Sequence, residues 1–132
     1  MRANGPHLTA LLIAPNRDLA RQFLAATELA RVFQVTSELK AYPSVQSLEM
    51  RLRQAKPEVV FVDVASDLDA SCELIRSCCA VDPRLVVIGI HLENNADGIL
   101  RSLRAGAAEF LPAPFETATQ TDAVSPIAPN VH

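Results

Sequence analysis

The sequence predicts an open α/β fold, a single sheet of parallel strands with helices on both faces. Three observations carry that prediction. Short apolar, β-branched runs alternate with amphipathic stretches along the chain. The run Val59-Val60-Phe61-Val62-Asp63-Val64 is apolar on both parities until its single acid, as a strand buried on both faces must be. At 132 residues, the chain has the length of one such domain.

The elements follow in order. Leu8 to Ala14 (LTALLIA) is a buried strand. Asp18 to Phe33 is helical, with Leu19, Phe23, Ala26, Leu29 and Ala30 near helical spacing. Phe33 to Thr36 is a short second strand. Ser44, after Pro43, caps a helix to Gln54 that places Val45, Leu48 and Leu52 on one face, and Pro57 stops it. Val59 to Val64 is the third strand, followed by a helix over Ala70 to Ala80. Leu85 to Ile90 (LVVIGI) is the fourth. Asn95 or Asp97 caps the next helix, which runs through Ile99, Leu100 and Leu103 to Ala105, and Gly106 takes the left-handed position after its end. Glu109 to Leu111 is a short fifth strand closed by Pro112 and Pro114. Right-handed crossovers then favour a doubly wound, flavodoxin-like sheet of order 2-1-3-4-5.

The C-terminal stretch is different. Glu116 to Val124 has length for two helical turns but no apolar stripe, and Pro126 and Pro129 prevent continuation. The expectation is one domain over 1–116, then a short helix or disordered linker over 117–132, so that the fifth helix is weak or missing.

Composition narrows the function classes. The net charge of −3 offers no basic surplus for nucleic acid. No run approaches the ~18 apolar residues of a membrane span, and the N-terminal residues Met1 to Pro6 lack the apolar core of a signal peptide. Cys72, Cys78 and Cys79 fall in one predicted helix without histidines at zinc spacing, and read as small apolar residues in a reduced, cytoplasmic setting.

In open α/β sheets the ligand crevice lies beyond the carboxyl ends of the strands, where Asp63 sits. That Asp, the five strand–helix units, and Arg104-Ala105-Gly106-Ala107-Ala108-Glu109-Phe110-Leu111-Pro112-Ala113-Pro114-Phe115 together resemble the receiver (CheY-like) domain of bacterial response regulators over residues 8–115. The resemblance implies a phosphoacceptor at Asp63, a metal-binding acid pair after the first strand, a Ser or Thr ending the fourth strand, and a Lys before the final Pro-Phe. Here the acid pair falls on Pro15 and Asn16, the hydroxyl on His91 and the Lys on Ala113. Only Asp63 matches, so it reads as a vestigial phosphoacceptor. Magnesium wants carboxylate oxygens in octahedral geometry, and neither Pro15 nor Asn16 supplies one, so no cofactor is expected. Asp18, Asp67 and Asp69 are the nearby acids that remain. Each also reads as a turn, cap or helix-dipole residue, and Asp63 itself as an acceptor for loop amides.

The ending Glu109 to Glu116 (EFLPAPFE) is similar to the atypical receiver at the N-terminus of TadZ/CpaE-type proteins of Flp pilus assembly. That similarity implies a MinD-like ATPase domain as partner, joined downstream of the Pro-containing tail; the other reading is a stand-alone receiver-like protein. The expected function is a phosphorylation-independent interaction or dimerisation module and not an enzyme, with Ile99, Leu100, Arg101, Leu103, Arg104 and Phe110 as its interface. The leucines and Phe110 read otherwise as core, the arginines as solvated. A weak fifth helix would also leave apolar sheet surface uncovered. The alternative is a two-component receiver retaining phosphotransfer at Asp63. Acid–base chemistry by Asp63 and His91 is a third class.

Overall fold

The computed structural model describes residues 7–124. The expectations for Met1 to Pro6 and for the linker from residue 125 onward lie outside the described residues. Five strands and five helices alternate: β1 (Leu8–Ile13), α1 (Arg17–Ala30), β2 (Phe33–Leu39), α2 (Val45–Ala55), β3 (Val59–Asp63), α3 (Leu68–Val81), β4 (Val86–His91), α4 (Ala96–Ala105), β5 (Glu109–Pro112) and α5 (Thr117–Val124). All strand pairs are parallel, in the order β2-β1-β3-β4-β5. That is the predicted doubly wound, flavodoxin-like sheet.

Strand alternation divides the core into two layers. Ala10, Leu12, Phe61, Ile88 and Ile90 face α1 and α5, where Phe23, Phe33 and Phe115 pack edge to ring around Phe61 and Phe23. Leu11, Ile13, Val60, Val62 and Val87 face α2, α3 and α4, with Leu48, Ile75 and Cys78 behind them. The central strand β3 is buried throughout, which is why its sequence carries no alternation.

Cap chemistry sets the helix ends. The side chains of Asn16, Ser44, Asp67 and Asn95 each accept a hydrogen bond from a backbone N–H three residues on, at the starts of α1, α2, α3 and α4. Of the two predicted caps for α4, Asn95 holds the position and Asp97 lies in the first turn. α1 ends at Ala30, earlier than predicted, because Arg31 turns left-handed at φ 61°. Strand β2 runs three residues further than predicted. After a bulge, its polar Ser37 and Glu38 continue the ladder with Leu11 and Leu12, so the neighbouring strand overrides a weak local signal.

Helix α5 does form, eight residues long. Its anchor is polar. Gln120 is fully buried, and its Nε2 donates to the carbonyls of Phe115 (2.7 Å) and Ala26 of α1 (3.3 Å). With Ala123 and Phe115 it seals the sheet, and Phe61, Ile88 and Ile90 are wholly inaccessible beneath it. The expectation of uncovered sheet surface is therefore corrected. A short helix suffices because Phe115 supplies the bulk that the helix lacks.

Candidate functional site

Asp63 ends β3 at the carboxyl edge of the sheet and is fully buried. A carboxylate there must find donors or lose its charge. It finds four. Oδ1 accepts from the backbone N–H groups of Ala65 (2.7 Å) and Ser66 (3.0 Å), and Oδ2 from the backbone N–H of Asn16 (2.9 Å) and the Ser66 hydroxyl (2.7 Å). One side chain thereby ties the β1–α1 loop to the β3–α3 loop. Tyr42, in the middle of the loop from β2 into α2, donates its hydroxyl to the Asp63 backbone carbonyl at 2.5 Å. Burial pushes the Tyr42 phenol above its ordinary range, and the charges of Asp63 and Asp67 push it further.

The other acids are committed elsewhere. Asp18 pairs with Arg21 and accepts from Gln22 on α1. Asp67 caps α3 through the Ala70 N–H at 3.0 Å. Asp69 pairs with Arg101 of α4. Asn16 spends its amide oxygen on the Leu19 N–H at 3.0 Å as the cap of α1, and Pro15 has no ligand to offer. This donor set does not fit magnesium, which needs free carboxylate oxygens around an octahedron. Among the described residues no group of three or more His, Cys, Asp or Glu side chains gathers to hold a metal ion.

Asp63 and His91 end neighbouring strands, but alternation turns them to opposite faces. Asp63 shares the face of Phe61, and His91 shares that of Val87. The imidazole lies against Phe110, ring centroids 6.2 Å apart, and its Nδ1 accepts from the Glu93 N–H at 3.1 Å. The sequence-level pairing of the two for acid–base work has no direct contact behind it. Ala113 precedes Pro114 through a cis peptide and stands one residue beyond Pro112, the β5 partner of His91.

The chain is similar to TadZ, a CheY-like protein from Pseudomonas aeruginosa PAO1, at 16% identity and a TM-score of 0.76, covering 96% of this chain and 98% of that one. This is a receiver fold. A pilus assembly-related protein from Burkholderia pseudomallei K96243 is similar at 18% identity and a TM-score of 0.75, over 95% of this chain and 92% of that one. A response regulator from Thermotoga maritima matches at 26% identity and a TM-score of 0.70, over 95% and 100%. No protein-family model and no curated protein matches the chain.

In the receiver frame, the residues around Asp63 are those of a sealed site. Sequence reasoning missed Ser66 and Tyr42. Ser66 was within reach, since an acid bonding the amides two and three residues on is a local turn pattern. The Tyr42 bond spans 21 residues and left no local trace.

On α4 the residues predicted as an interface divide. Leu100 and Leu103 are 48% and 42% exposed, so reading them as core is corrected. The helix turns Gly98, Ser102 and Ala105 inward instead. Ile99 and Phe110 are partly buried, and Arg104 is exposed. Arg101 is not simply solvated, since it is ion-paired with Asp69.

Proposed function

We propose that this chain is an interaction module of a pilus-assembly system, a receiver fold whose aspartate holds loops together instead of accepting phosphate. One observation carries the reading. All four donors on the Asp63 carboxylate come from the chain itself, and among the described residues no group of acids gathers beside it to hold magnesium, whose charge makes phosphoryl transfer feasible. The pilus context comes from the names of the similar proteins, TadZ and a pilus assembly-related protein. The proposed partner is a MinD-like ATPase domain, bound through protein surface. The exposed Leu100 and Leu103 on α4, one helical turn apart, with Arg104 beside them, are the proposed self-association face.

The test is a beryllofluoride and magnesium titration followed by amide NMR. The expected result is no shift at Asn16, Ala65, Ser66 or His91 at millimolar mimic. Saturable shifts at those amides would instead establish phosphotransfer at Asp63 and the two-component reading.

A further inference from the structure

Five of the described arginines are ion-paired. Arg17 pairs with Glu38, Arg21 with Asp18, Arg76 with Glu73, Arg84 with Asp82 and Arg101 with Asp69. Arg51 on α2 is different. Among the described residues it is the partly buried arginine that no carboxylate neutralises. Its one hydrogen bond runs from Nη1 to the Ser37 hydroxyl at 3.4 Å, a long contact to a neutral group. A guanidinium has five N–H donors in a planar fork, so most of its capacity is unspent. Partial burial of an uncompensated cation costs free energy that a bound anion would return.

Those donors line a cleft of about 370 Å³ between the end of β2 and α2, bounded by Leu39, Lys40, Ala41, Tyr42, Pro43, Ser47 and Arg51. Its lining holds two cations and no acid, in a chain of net charge −3. Tyr42, Pro43 and Leu39 add an apolar wall. A planar fork beside a second cation suits a carboxylate held by two parallel hydrogen bonds. The apolar wall suits the stem and backbone that carry that carboxylate.

We propose that this cleft is a docking site for an acidic peptide segment of a partner protein, with a Glu or Asp carboxylate seated on Arg51 and Lys40. The module reading suggests only that the partner is a protein. The cleft itself is tested at Arg51, independently of any response at Asp63, so the two readings fail separately.

The experiment titrates the protein with a short blocked peptide rich in glutamate, its glutamine counterpart and inorganic phosphate, read by NMR of the backbone amides and the Arg51 side-chain N–H. The glutamate peptide is expected to shift Ser37, Lys40, Tyr42, Ser47 and Arg51, and the glutamine peptide to shift none of them. Arg51→Gln should weaken binding about tenfold, and Arg51→Lys should recover only part, because a point charge lacks the fork. Lys40→Gln, on an exposed side chain, keeps the test alive if an Arg51 variant does not fold, and should also weaken binding. Unchanged affinity in these variants, shifts confined to other surfaces, or equal shifts with phosphate and with the glutamine peptide would each overturn the proposal.

Discussion

A buried carboxylate persists only where its lone pairs are filled, and Asp63 fills them from two loops at once. Removing it strands three backbone N–H groups and one hydroxyl. Asp63→Ala should therefore destabilise the fold by about 2–3 kcal/mol, and Ser66→Ala by about 1 kcal/mol, since each orphaned donor carries its own desolvation cost. Urea unfolding checks both, and a loss below about 0.5 kcal/mol for Asp63→Ala would mean the loops do not depend on it. Tyr42 makes a second residue-scale prediction. It is the single tyrosine of the chain, so ultraviolet absorbance titration reads it alone. Its folded pKa lies above the unfolded value of 10.0. The neutral phenol thus contributes stability that is complete below about pH 10 and is lost as pH rises through the folded value. Tyrosinate absorbance should appear only well above the ordinary phenol range, and a normal titration midpoint would show that the phenol is not buried beside Asp63.

At the scale of elements, the ends decide more than the middles. The link from α4 to β5 turns on Gly106, at φ 125°, where an added Cβ would meet Cys79 Sγ of α3 at 2.8 Å. Gly106→Ala should cost more than about 1 kcal/mol, through the positive φ and the clash together. Adding Cys79→Ala should recover only the clash part, so a thermal or denaturant series on the single and double variants separates the two causes. Helix α5 shows the opposite case. Its sequence carries no apolar stripe, so pattern reading could find only a short, weak helix. What holds it is the buried Gln120 amide reaching the carbonyls of Phe115 and Ala26. A bond from residue 120 to residue 26 depends on the chain having already folded back on itself, and no local pattern announces it.

For the molecule as a whole, the proposed α4 face has a direct consequence. Leu100 and Leu103 face solvent in the isolated chain, and sedimentation across micromolar concentrations should show a dimer that Leu103→Asp abolishes without loss of helicity. A strict monomer at high micromolar concentration would remove self-association from the proposed function. The described residues contain no helix long and apolar enough to cross a membrane. The layered architecture was legible because burial on two faces forces apolar runs in the strands, and because helix starts demand Asn, Ser or Asp at fixed places. So was Asp63 at the strand end, since that is a position along the chain. Which way each side chain turns was not. Alternation within the assembled sheet placed His91 on the face away from Asp63, and packing at the helix surface left Leu100 and Leu103 outside. The sequence by itself determined the layers, the strand order and the acid at the end of β3. Only tertiary structure decided that Asp63 is sealed by Ser66 and the loop amides and that Arg51 is left without a carboxylate, because both depend on distances between segments far apart along the chain.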